Sequence, residues 1–139
     1  MAAIRMVDPS DVPWVAPIEG QSGEMAPVPE GDERSAVRFL HPGSDTELYL
    51  HEARTLPNTE IAVHAHRTDE IILVTAGELH LGARVLRPGS SVYIPADTLY
   101  GFTAGPEGVR FLNFRAVRDN SHVLKEDFLA ERAASRSSS

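Results

Sequence analysis

The sequence predicts one all-β domain, a β-sandwich or a jelly-roll β-barrel, with an extended N-terminal arm and a short C-terminal helix. Three observations predict it. Between Ser35 and Ala116, short runs rich in Val, Ile, Leu and Tyr alternate with turn-forming Gly, Pro, Asn and Asp. Five of the ten prolines crowd into residues 1–34. Beyond His122, Leu124, Phe128 and Leu129 make one apolar stripe at helical spacing.

Each element follows from its residues. Pro9, Pro13, Pro17, Pro27 and Pro29 lack the N–H that a sheet ladder needs. Residues 1–34 therefore read as an arm that wraps the body with Trp14 as its anchor, or as a loose terminus. The barrel covers residues 35–118. Its strands are expected in SAVRFL, ELYLHEA, EIAVHAH, EIILVTA, ELHL, RVL, SVYIP, LYGFTA and VRFLNFRA. Gly43, Asn58, Gly77, Gly82, Gly89, Asp97 and Gly105 stand in the turns between them. Residues 119–139 form the helix, over about 122–134, and a frayed tail.

Composition limits the function. The chain has 139 residues, the length of one domain. Its net charge of −7 disfavours nucleic acid and anionic membranes. The absence of cysteine excludes disulfides, thiolate metal sites and cysteine nucleophiles. The start MAAIRMVDPS has no apolar core of a secretory signal, and no run approaches the roughly 20 apolar residues that span a bilayer. A cytoplasmic protein is expected.

The chemistry concentrates in residues 60–70. In a strand, residues two apart share a face, so His64 and His66 point together, with Glu60 and Ala62. Ile61, Val63 and Ala65 take the opposite face. Arg67-Thr68-Asp69 turns the chain, and Glu70 opens the next strand and swings back towards both imidazoles. Two neutral nitrogens and one carboxylate suit a divalent first-row metal, through His64 Nε2, His66 Nε2 and a Glu70 oxygen. A hairpin tip at Ala76-Gly77 would pair Val74 with Leu79 and Ile72 with Leu81 on the inner face. His80 would then lie outside, away from the metal.

The run His64-x-His66-x3-Glu70-x6-Gly77 resembles the first motif of the cupin family, with Asn58 in place of its leading glycine. Gly89-x5-Pro95 resembles the start of the second motif. There Asp97 stands for a glycine, Tyr100 for the fourth metal-binding histidine and Ala104 for an asparagine. The likeness covers about residues 38–116. It implies the jelly-roll β-barrel of the cupins rather than a sandwich, with Tyr100 approaching the metal from the opposite wall. Tyr100 is then a fourth ligand, a donor to bound substrate, a general base or a packing residue.

The expected function is a metal-dependent reaction on a small organic molecule inside the barrel. Two histidines and a carboxylate match many non-haem Fe(II) oxygenases, and the resemblance includes diketone- and hydroxyketone-cleaving dioxygenases. A dioxygenase-like reaction with one Fe(II) is therefore expected first, with Zn(II), Mn(II) and Ni(II) as alternatives. The other readings are a redox-neutral lyase, isomerase or polyketide-cyclase-like enzyme, and a non-catalytic binding module. Tyr100 is the expected catalytic residue. Ile72, Val74, Leu79, Leu81 and Phe102 are expected to wall the substrate pocket, with Tyr49 and His51 if their strand face is the inner one. His41 and His122 read as structural. The apolar outer face of Ile61, Val63, Ile71 and Leu73 predicts a homodimer.

Overall fold

The computed structural model describes residues 3–21, 23–119 and 121–137. They form a 3-10 turn at Pro9–Asp11, ten strands and one helix. The strands are β1 (Val15–Pro17), β2 (Met25–Pro27), β3 (Ala36–His41), β4 (Tyr49–Thr55), β5 (Glu60–Ala65), β6 (Glu70–Leu81), β7 (Arg84–Leu86), β8 (Ser91–Ile94), β9 (Tyr100–Arg115) and β10 (Val123–Leu124). The helix, α1, is Lys125–Ser137. The sheet runs β10-β5-β9-β4-β3-β1-β2, and β6 pairs with β7, β8 and β9 to curl it into the jelly roll.

Two long strands make the spine. The second half of β9 lies between β4 and the first half of β6, and its first half lies between β5 and the end of β6. Both strands change parity midway. Glu70, Ile72 and Val74 face inward, and then Leu79 does; Phe102 and Ala104 face inward, and then Val109, Phe111, Asn113 and Arg115 do. An uninterrupted strand keeps one parity, so each carries an irregularity between its halves. It falls where Gly77 and Gly108 meet, both in the left-handed region (φ 71° and 81°). A Cβ on Gly77 would stand 2.1 Å from the Gly108 carbonyl oxygen. Gly77 is therefore not the tip of a hairpin, and Gly105-Pro106 does not end a strand. The expected inner face of β6 holds for a different reason: the bulge shifts the register that a turn was expected to reset. The tip lies at Gly82, between β6 and β7.

A second bulge shapes β5. Ile61 pairs with Phe102 and His64 with Tyr100, so Ala62 and Val63 together face Gly101. A Cβ on Gly101 would meet the Ile61 carbonyl at 2.8 Å, so glycine makes room for the bulge. Ile61 consequently turns in and packs against the core, while Ala62 is exposed; the simple alternation expected for this strand fails there. The apolar outer patch loses Ile61. It keeps Val63, Ile71 and Leu73 and gains Tyr93 and Phe114, all more than a third exposed.

The core is Ala53, Ile72, Val74, Leu79, Leu86, Ile94, Phe102, Ala104, Val109 and Phe111. It reaches from Ile94 and Ile72, beside Glu70, to the end of the barrel away from Glu70. The arm adds β1 to the edge of β3, and Trp14 lies under the guanidinium groups of Arg38, Arg54 and Arg110 at 4.3, 4.5 and 5.6 Å. The helix begins at Lys125, later than expected, because Val123 and Leu124 pair with β5; of the expected stripe, Phe128 is buried, and Leu124 in β10 and Leu129 in α1 are about half exposed. No helix among the described residues is long and apolar enough to cross a membrane.

The glycine contacts make a prediction. Gly77→Ala and Gly82→Ala both force a side chain into the left-handed region, which costs about 1–2 kcal/mol. Only Gly77 also meets backbone; nothing lies within 4 Å of a Cβ on Gly82. Denaturant melts should show Gly82→Ala within that range and Gly77→Ala well beyond it.

Candidate metal centre

At the Glu70 end of the barrel, three imidazoles converge. His64 is buried in β5, and its Nδ1–H donates to the Ala62 carbonyl at 2.7 Å. His66 follows β5, and its Nδ1–H donates to the Ser121 carbonyl. In both rings this bond fixes the tautomer and leaves the Nε2 lone pair free, as in most metal-ligating histidines. His122 precedes β10, which pairs Val123 with Ala65 and Leu124 with His64. That pairing lays the His122 ring on His64, with centroids 4.2 Å apart and planes 14° from parallel. One ring nitrogen from each of His64, His66 and His122 lies within 4.8 Å of the others.

The protonation states suit ligation. Burial lowers the pKa of all three histidines, and the Arg115 charge adds to this at His66, as His64 does at His122. The rings are therefore neutral at pH 7, which is the form that ligates. A set of three neutral nitrogens fits a divalent first-row ion.

Glu70 stands beside the cluster, its Oε2 3.9 Å from His66 Nε2. It is buried and heavily engaged. Oε1 accepts from the Tyr100 hydroxyl; Oε2 accepts from Asn113 Nδ2 at 3.2 Å and from Arg115, with Nε at 3.2 Å and a terminal guanidinium nitrogen at 3.0 Å. Asn113 Oδ1 is buried and has no partner among the described residues. The amide cannot flip to relieve this, because its oxygen would then face a carboxylate that only accepts.

Tyr100 does not reach the site from the opposite wall. It sits on β9 directly beside His64, their rings 4.6 Å apart, because β5 and β9 are neighbours. Burial, and then Glu70, push its phenol well above the usual range, so it keeps its proton and donates. Tyr49 and His51 do face inward: they pair with Arg115 and Asn113, which pair with Glu70 and Ile72. The Tyr49 hydroxyl lies 2.6 Å from His51 Nδ1. Ile72 is the floor beneath Glu70. Val74, Leu79 and Phe102 belong to the packed core, with Leu81 and Tyr100 against it, and Val74 lies about 13 Å along β6 from Glu70 at 3.3 Å per residue. His80 lies outside the cluster, its Nε2 3.2 Å from Glu78. His41 ends β3.

Sequence reasoning missed His122, Asn113 and Arg115. The two β9 residues carry a period-2 signal, since they alternate with Leu112 and Phe114. His122 carries none; only the return of the chain to β5 brings it in.

Burial pushes His51 down to about 3, helped by the Arg115 charge and by His66. Between that value and the unfolded pKa of 6.5, the unfolded chain binds the extra proton, so stability falls as pH falls. His51→Gln should remove about 2 kcal/mol of the acid destabilisation accumulated by pH 5, read as the difference between denaturant melts at pH 7 and 5.

No protein-family model matches this sequence, and no curated protein matches it. Solved structures do. An RmlC-like cupin from Ralstonia eutropha superposes with a TM-score of 0.64 at 17% identity, covering 90% of this chain and 75% of that one. The polyketide cyclase RemF from Streptomyces resistomycificus gives 0.63 at 23%, covering 90% and 89%. The DMSP lyase DddQ from Ruegeria pomeroyi gives 0.63 at 18%, covering 85% and 63%. At these identities the likeness establishes architecture and leaves the chemistry to the residues of this chain. The chain shares the fold of these structures, the RmlC-like cupin among them.

Proposed function

We propose that this cupin is a metal-dependent enzyme acting on a small organic molecule at the open end of its barrel, by redox-neutral proton chemistry. The observation that carries the reading is the placement of the hydrogen-bonded Tyr100–Glu70 pair directly against three neutral imidazoles. His64, His66 and His122 would hold the ion, with Glu70 beside them. A bound divalent ion supplies Lewis-acid polarisation of a substrate oxygen. The protein supplies the rest. Tyr100 holds a proton at its hydroxyl and orients it, through Glu70, next to the substrate. Arg115 and Asn113 fix the Glu70 carboxylate. Asn113 Oδ1, a buried acceptor without a partner, favours a substrate that carries a hydroxyl or enol donor. Ile72 and Tyr49 keep the floor dry. The similar structures include a polyketide cyclase and a DMSP lyase.

A dioxygenase-like reaction is the second reading. The observation in its favour is the ligand chemistry: imidazole donors accept Fe(II) as well as Zn(II). Metal analysis of protein purified without added metal separates the two, together with oxygen uptake on a panel of hydroxyketones and β-dicarbonyls. Zinc or manganese with no oxygen uptake is expected; substrate-dependent oxygen consumption by an iron form would overturn the first reading. The double variant His64→Ala/His66→Ala should lose the metal and keep the barrel. Tyr100→Phe should keep the metal and lose about 10²–10⁴-fold in turnover. An unchanged rate would remove the phenol from the mechanism.

A further inference from the structure

Of the three imidazole donors, His64 and His66 belong to the barrel wall, and His122 belongs to the C-terminal segment. That segment is lightly held. β10 contributes two paired residues. In α1 the described side chains bury one large apolar group, Phe128. The ion pair between Arg67 and Glu131, at 2.5 Å, is half exposed on both sides, and such pairs contribute little. A helix of 13 residues is marginal without tertiary packing. The hinge, by contrast, is firm. The Asp119 carboxylate accepts from the Thr68 amide at 2.9 Å, the Thr68 hydroxyl at 2.8 Å and the Arg67 amide at 3.1 Å. Arg115 donates to the Asp119 carbonyl at 2.6 Å.

From this contrast we propose that the metal docks the C-terminal segment. With the ion bound, His122 pins residues 122–137 over the open end of the barrel. Without it, the segment swings away beyond Ser121, which the Arg67 amide and the His66 ring hold to the barrel, and uncovers the cluster. The inference rests on the three-histidine centre proposed above and goes beyond it, since a centre could bind metal without moving the chain. Linkage makes the coupling reciprocal: whatever factor the metal adds to docking, docking adds to metal affinity.

The test uses the full chain, stripped with a chelator or saturated with Zn(II). Tryptic cleavage after Lys125 and Arg132 reads how often the segment opens. Zinc should slow it by about 5–150-fold, the usual span of such couplings. In His122→Ala, zinc held by the remaining donors should give no slowing. Phe128→Ala alters no donor, yet should weaken zinc binding by the factor that zinc protects the wild type. Wild type that takes up one zinc per chain but is cleaved at an unchanged rate would overturn the docking proposal alone. Protection that persists in zinc-bound His122→Ala would do the same. No zinc uptake by equilibrium dialysis would overturn the centre and the docking together.

Discussion

The buried Glu70 carboxylate is the point on which the site is built. It opens β6, and its acceptor positions are filled by Tyr100, Asn113 and Arg115, all from β9. Two charges taken out of water need partners on every side, and breaking such a pair costs about 3–5 kcal/mol. The Arg115 guanidinium passes this constraint on, since it also donates to the Asp119 carbonyl. Asp119 in turn ties down the turn after His66, and the Ser121 carbonyl orients the His66 ring. One ion pair thus sets the spacing between the barrel wall and the segment that brings His122.

Much of this was legible in the sequence. Period 2 placed His64 and His66 together, and the cupin spacing placed Glu70 beside them. Asn58 and Asp97, which stand where the family motifs carry glycine, both take the left-handed conformation (φ 58° and 57°). What was hidden shares one physical cause. A bulge changes which face a side chain takes, and it is set by the strand across the sheet. Gly101 admits the bulge that turns Ile61 inward, and Gly108 faces the bulge at Gly77. Neither partner is near in sequence. His122 was hidden for the same reason, since its position depends on the pairing of Val123 and Leu124 with β5.

The barrel also divides its polarity by depth. Near Glu70 the inner rows are Ile94, Glu70, Arg115 and Tyr49, then Val92, Ile72, Asn113 and His51. Further in, Val74 faces Phe111, which faces Ala53, and polar atoms give way to a close-packed apolar plug. Chemistry is therefore confined to one end of the molecule. The plug keeps water from the underside of the ion pair, where a low dielectric strengthens it.

The long pairing of β6 with β9 also bears on how the chain folds. It joins Glu70 to Arg115 and Ile72 to Asn113, contacts far apart in sequence. Such closure is slow compared with local hairpins, because loop entropy is lost before the ladder repays it. β7 and β8 can form early against β6, by short turns. β9 closes against β4, β5 and β6 over longer stretches of chain, and through Arg115 and Asp119 it fixes the turn after His66. The third imidazole depends on that long-range closure, since β10 reaches β5 only past the end of β9.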